Sequence, residues 1–96
     1  MPVFLAIPLK TDSAALNKAV EAKFMGTIDR YKLQADAGWL INYSGTTVEL
    51  CNFLGITGQE SGEHSLIGSA MVVPVTTYYG RGPSDMWEWI KTRLET

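Results

Sequence analysis

Segments that favour strands alternate along this chain with segments of helical periodicity, and their order restricts the possible folds more than any other feature. Four strands are predicted, at residues 3–9, 28–36, 39–44 and 66–79. Helices are predicted from a cap at Asp12 or Ser13 to Gly26, and at residues 46–54 and 84–94. This order predicts an α+β fold, a ferredoxin-like βαββαβ sandwich with an additional C-terminal helix. We predict one such domain over residues 1–96.

The apolar residues within these segments predict which sides face the core. Residues 3–9 are almost all apolar, which is typical of a strand buried on both faces. The first helix carries one apolar stripe, formed by Leu16, Ala19, Val20 and Phe24. The last helix carries another, formed by Met86, Trp87, Ile90 and Leu94. At 100° per residue, Trp89 lies about 60° outside the edge of that second stripe.

The segment at residues 46–54 fits two structures. Its β-branched start favours a strand. Thr46 followed by Glu49 is a capping box, in which each side chain bonds the backbone amide of the other residue at the start of a helix. Gly55 follows at a usual helix C-terminal position. We therefore predict a helix.

Pro74 interrupts the apolar middle of the last predicted strand. Proline has no backbone N–H, so such a strand lies at the edge of a sheet or contains a bulge. The last strand of a ferredoxin-like sheet is an edge strand, which agrees with this proline. Gly38, between the second and third strands, predicts a hairpin turn.

Composition excludes several classes of protein. The only cysteine is Cys51, so no intrachain disulfide is possible, and the fold does not depend on an oxidising compartment. The N-terminal segment has no basic region and Pro8 ends its apolar run early, so we predict no signal peptide, no membrane span and a cytoplasmic protein. The net charge of −2 argues against nucleic acid as a partner.

Three residues are of types that serve in catalysis or metal binding, but each has a simpler structural interpretation. Asp12 is a candidate magnesium ligand, but aspartate is favoured as a helix cap. His64 is a candidate base in a glycine-rich loop and has no second histidine to join it. Cys51 lies among apolar residues, as a structural thiol does. We predict no catalytic residue, no metal site and no cofactor.

Candidate binding residues cluster near the C-terminus. Tyr79, Arg81 and Trp89 are of the types that dominate protein interfaces. The run Gly80-Arg81-Gly82 before a helix either is a simple turn or holds a small anion through its backbone amides.

Five pieces of the sequence carry a resemblance that spans nearly the whole chain. They are Val-Phe-Leu-Ala-Ile, Gly-Trp-Leu-Ile, Thr-Val-Glu-Leu-Cys-Asn-Phe-Leu, Met-Val-Val-Pro-Val and Met-Trp-Glu-Trp-Ile-Lys. In these the chain resembles small SinR-like proteins, ferredoxin-like relatives of the CRISPR adaptation-complex endoribonuclease subunit. The nuclease branch of that wider family has a metal-holding aspartate at the end of the first strand. This chain has Ile7-Pro8-Leu9 there, so we expect no nuclease activity.

We therefore expect a non-enzymatic protein-interaction module, such as an antitoxin, a defence accessory or a phage inhibitor. We expect it to be a homodimer that pairs through the last strand and the segment after it, because an apolar edge strand tends to pair. One alternative is a metal-dependent nuclease in which Asp12 and Asp36 or Asp85 converge on magnesium. Another is a sensor of a small anion or ligand at residues 80–82.

Overall fold

The computed structural model describes residues 2–9, 14–24, 29–33, 37–59, 67–77 and 79–94. Within these ranges the chain forms four strands: β1 (Val3–Pro8), β2 (Arg30–Lys32), β3 (Trp39–Asn42) and β4 (Ala70–Pro74). It also forms three helices: α1 (Ala14–Lys23), α2 (Thr47–Leu54) and α3 (Ser84–Leu94). Their order along the chain is β1, α1, β2, β3, α2, β4, α3, and the architecture is α+β.

The four strands form one sheet in the order β2-β3-β1-β4. Every neighbouring pair is antiparallel. Phe4 in β1, for example, lies opposite Ile41 in β3 and Pro74 in β4. As the sequence predicts, β1 is inside the sheet and the strand that contains Pro74 is at an edge.

Helices cover both faces of this sheet because β1 and β3 carry apolar residues at almost every position. On one face, α1 and α2 enclose a core formed by Phe4, Ala6, Leu16, Val20, Trp39, Ile41, Leu50, Leu54, Ile56 and Val72. On the other face, α3 packs Trp89 and Ile90 against Val3 and Leu40. Each large apolar side chain buried in this way contributes about 1.5–3 kcal/mol to folding.

The helix predicted at residues 46–54 is confirmed, and its ends show why it forms. The Glu49 amide donates to Thr46 Oγ1 (3.1 Å), and the Thr46 amide donates to Glu49 Oε1 (2.9 Å). At the other end, Gly55 is left-handed, with φ of 89°, a conformation that glycine adopts without a steric penalty.

β4 is shorter than the predicted strand at residues 66–79. It ends at Pro74, and of the predicted extension residues 67–69, 75–77 and 79 are not strand. The reason is the length of β1, the neighbour it pairs with. The Val75 amide still donates to the Val3 carbonyl (2.8 Å), but Val3 is the first residue of β1. Later residues therefore have no β1 strand residue opposite them.

The structure agrees with the predicted apolar stripe of α1 but differs from that of α3. In α1, Leu16 and Val20 are buried and Ala19 and Phe24 are half-buried, as predicted. In α3, Trp89 was predicted to lie outside the apolar stripe, but it is part of the core against the sheet and only 9% exposed. Met86 and Trp87 are half-buried. The α1 caps Asp12, Ser13 and Gly26 and the side chain of Leu94 lie outside the described part of the chain.

Gly38 has a steric reason to be glycine. Its φ is 149°, and a Cβ at this position would overlap the carbonyl oxygen of Ala6 in the neighbouring strand. In the part of the chain that the structure describes, no helix is both long and apolar enough to cross a membrane.

Candidate interaction surface

The residues of β4 that bond β1 determine which of its backbone groups face outward. The amide of Leu9 donates to the Ser69 carbonyl (3.0 Å), and that of Val75 to the Val3 carbonyl (2.8 Å). In an antiparallel ladder the residues that bond one neighbour alternate along the strand. The odd-numbered residues of β4 therefore bond β1. The backbone groups of Ala70, Val72 and Pro74 point away from the sheet.

Pro74 thus stands where its missing N–H costs no bond to β1. Its nitrogen is on the outer side, and the ladder with β1 continues past it to Val75. The outer edge still offers the N–H and C=O of Ala70 and Val72 and the C=O of Pro74. Among the described residues, no strand pairs with this edge.

An exposed apolar area adjoins this edge, on the face that α3 covers elsewhere. Met71 is 42% exposed and Leu9 is 55% exposed. Ile7 lies directly opposite Met71, and Val73 is the next β4 residue on the same face. We call Ile7, Leu9, Met71 and Val73 the β4 patch. Since α3 packs on Val3 and Leu40 instead, it leaves Leu9 and Met71 exposed.

The segment between β4 and α3 forms a shallow groove against that helix. The groove has a volume of about 460 Å³ and is lined by Tyr79, Gly80, Ser84, Trp87, Glu88 and Lys91. Trp87 Nε1 donates to the Gly82 carbonyl (3.2 Å), which ties the segment to α3. A Cβ at Gly82 would lie 2.9 Å from Met86 Cε, so glycine permits this close approach.

The structure separates the three predicted binding residues. Tyr79 is fully exposed and Arg81 is exposed, both on the segment after β4. Trp89 is instead buried against the sheet: its ring lies 6.2 Å from that of Tyr31, and the Arg93 guanidinium stacks 4.4 Å from it. Trp87, which was predicted to face the core, lines the groove with Tyr79.

The other edge of the sheet, β2, is short and basic. The Arg30 guanidinium lies 5.6 Å and Lys32 Nζ 5.9 Å from the centre of the Trp39 ring. Trp39 Nε1 donates to Asn17 Oδ1 (2.8 Å), which fixes the indole. Asn17 is a polar residue of α1, and nothing in its local sequence indicates this distant partner.

Two observations concern the reactive side chains among the described residues. No group of three or more histidine, cysteine, aspartate or glutamate side chains in the described ranges is arranged to hold a metal ion. Burial raises the pKa of the Cys51 thiol, which makes it a poorer nucleophile. The candidates Asp12, Asp36 and His64 lie outside the described residues.

Asp85 is engaged by Tyr31. The Tyr31 hydroxyl donates to Asp85 Oδ2 (2.9 Å), which links β2 to the first turn of α3. Burial, together with the hydrogen bond to Asp85 and its negative charge, raises the pKa of Tyr31. This carboxylate therefore acts as a structural contact.

Comparison with models of protein families, with curated proteins and with solved structures finds no significant match for this chain. The two edges of the sheet differ in their chemistry. One is apolar and lacks one donor, and the other is basic.

Proposed function

We propose that this chain is a non-enzymatic protein-interaction module that forms a two-fold homodimer through β4. The proposal includes a ferredoxin-like fold, to which α3 is an addition on the second face of the sheet. That fold is supported by the antiparallel strand order β2-β3-β1-β4 and by the helices after β1 and β3.

The main support for the proposed dimer is that the backbone groups of Ala70, Val72 and Pro74 face outward. When two copies of β4 run antiparallel with Val72 opposite Val72 of the second copy, the two valines exchange N–H···O=C bonds. The Ala70 amide then donates to the Pro74 carbonyl of the second copy. Each bond occurs twice, because a two-fold contact uses the same surface on both copies.

The β4 patch gives this pairing an apolar component. In the same register Met71 lies opposite Val73 of the second copy, on the face that α3 leaves open. Burying exposed apolar surface stabilises association by about 25 cal/mol per Å². An exposed apolar edge is also a liability for uncontrolled aggregation, which a closed dimer removes.

Tyr79 and Arg81 are the proposed contact residues beyond the strand. Both are exposed and follow β4 closely. Trp89 contributes differently from these two, because it is buried and holds α3 on the sheet. The proposed roles are those of an antitoxin, a defence accessory or a phage inhibitor, each acting through contacts with another protein.

The small-anion site at residues 80–82 has weaker support. The groove beside it holds Lys91, which suits an anion, and also Glu88, which opposes one. A helix N-terminus with one nearby cation is common without any bound anion.

Light scattering with two matched variants tests the dimer. The wild-type chain is expected to have twice the mass of the 10.6 kDa monomer at micromolar concentration. Met71→Glu is expected to shift it to the monomer, because two carboxylates would meet an apolar surface at the contact. Val48→Glu adds the same charge at a position 67% exposed on α2 and is expected to leave the dimer intact. A wild-type monomer at all concentrations, or equal effects of the two variants, contradicts the proposal.

A further inference from the structure

The β4 patch contains a methionine whose side chain is open to small reactive molecules. Met71 is 42% exposed and lies opposite Ile7, which is half-buried. The structure describes one other methionine, Met86, and that side chain is half-buried against the core between α3 and the sheet. Of these two thioethers, Met71 is therefore the one that an oxidant in solution reaches more easily.

The thioether of methionine reacts with a peroxide by taking up one oxygen atom. The sulfur lone pair forms the new S=O bond while the O–O bond of hydrogen peroxide breaks. Sulfur loses two electrons, and the second oxygen leaves with both hydrogens as water. The product is a sulfoxide, so a flexible apolar side chain becomes a polar one.

The surroundings of Met71 in the proposed dimer do not suit a sulfoxide. In that register Met71 has Ile7 of its own copy on one side and Val73 of the second copy on the other. Neither side chain can donate a hydrogen bond. A sulfoxide oxygen covered by these residues would lose its hydrogen bonds to water without a replacement, which is costly. The two-fold contact contains this pair twice.

We propose that Met71 is an oxidation site that switches the dimer off. The proposal rests on the dimer through β4 and concerns its regulation. Peroxide oxidises Met71 in the exposed monomer, and the sulfoxide then prevents pairing. The dimer in turn covers Met71, so oxidation is expected to become slower as the protein concentration rises. A thiol-dependent sulfoxide reductase reverses the step, because it removes the oxygen as water while two thiols become a disulfide.

The second oxidisable sulfur type in the chain lies away from this contact. Cys51 is on α2 and packs against the core of the opposite face of the sheet. Oxidation of Cys51 is therefore not expected to affect pairing through β4. Met71→Leu removes the reactive sulfur and keeps an apolar side chain of similar volume. This variant retains Cys51 and Met86, so it reports any effect of peroxide at those positions.

The test treats the wild-type chain, Met71→Leu and Met86→Leu with hydrogen peroxide and compares each protein with itself before and after treatment. Mass spectrometry of peptides locates the added oxygen, and light scattering gives the dissociation constant of the dimer. Oxidation is expected to raise this constant at least tenfold in the wild-type chain and in Met86→Leu, and less than twofold in Met71→Leu. Treatment with a sulfoxide reductase and a thiol is expected to restore the wild-type dimer.

The starting mass separates failure of this proposal from failure of the dimer. A wild-type chain that is a monomer before peroxide is added contradicts the dimer and, with it, the switch. A wild-type dimer that persists with Met71 oxidised contradicts the switch alone. Equal losses of the dimer in the wild-type chain and in Met71→Leu also overturn it, as does oxidation of Met71 at one rate across all protein concentrations.

Discussion

β4 and β2 close the same sheet on opposite sides, yet they present different chemistry to a partner. β4 is apolar, with Met71 and Leu9 exposed beside it, and Pro74 removes one outward donor. β2 is only three residues long and carries Arg30 and Lys32 over Trp39. Short length, charge and proline are the usual means by which edge strands avoid unwanted pairing. Here those means are divided between the two edges.

The position of α3 accounts for part of the difference. Trp89 of α3 packs on Tyr31 of β2, and Asp85 of α3 accepts a hydrogen bond from the same tyrosine. These two contacts hold α3 against the β2 side of the sheet. The sheet face beside β4 keeps Met71 and Leu9 exposed. In general, an apolar edge gains stability by burial against another apolar surface, whereas a basic edge disfavours pairing with a copy of itself.

The largest expected effect comes from releasing α3. Trp89→Ala removes a buried indole from the core between α3 and the sheet, and we expect the free energy of unfolding to fall by about 3–5 kcal/mol. Urea denaturation measures this change. Tyr79→Ala, at a fully exposed side chain, is the control and is expected to change the free energy of unfolding by less than about 0.5 kcal/mol. Equal small effects would place Trp89 at the surface.

A smaller effect is expected from restoring the missing donor of the β4 edge. Pro74→Ala adds one outward N–H to each copy, opposite the Ala70 carbonyl of the second copy. Two added hydrogen bonds are expected to strengthen the dimer by about 1–3 kcal/mol. Sedimentation equilibrium measures the dissociation constant.

The free energy of unfolding of the Pro74→Ala monomer is expected to change by no more than about 1 kcal/mol, since the proline nitrogen faces away from β1. A large loss of monomer stability would mean that Pro74 faces β1. An unchanged dissociation constant would mean that this edge is not the dimer contact.

The features that the sequence predicts well are those that depend on neighbouring residues. The Thr46–Glu49 capping box identifies α2 because both partners lie within one turn. Pro74 indicates an edge strand because proline lacks a donor in any context. The apolar run of β1 indicates burial on both faces because the pattern consists of consecutive residues.

The errors concern features that depend on distant parts of the chain. β4 ends opposite the first residues of β1, and the sequence around Pro74 does not show where β1 begins. The rotation of α3 depends on Tyr31, 54 residues from Asp85, so its periodicity alone placed Trp89 outside the core. Periodicity also did not show that Trp87, rather than Trp89, lines the groove with Tyr79.

The smallest effect is expected at the link between β2 and α3. Tyr31→Phe removes the hydrogen bond to Asp85, and we expect a loss of about 0.5–1 kcal/mol at neutral pH. The pKa of Tyr31 is raised in the folded state. The stabilisation is therefore complete below the ordinary value of about 10 and is lost as the pH rises through the folded-state pKa.

Thermal unfolding between pH 8 and pH 11, in steps of roughly half a unit around that tyrosine pKa, compares Tyr31→Phe with the wild-type chain. The difference in stability is expected to shrink as the pH rises. A difference that stays constant would show that the hydroxyl of Tyr31 makes no contribution of this kind.

Amide hydrogen exchange followed by NMR tests the role of the β4 edge most directly. In the proposed dimer, the outward amides of Ala70 and Val72 are hydrogen-bonded, so they are expected to exchange slowly and to exchange faster on dilution. The outward amide of Arg30 on β2 is expected to exchange at a rate that does not change on dilution. Rapid exchange at Ala70 and Val72 in concentrated protein, with Met71 and Val73 still protected by β1, would contradict the dimer.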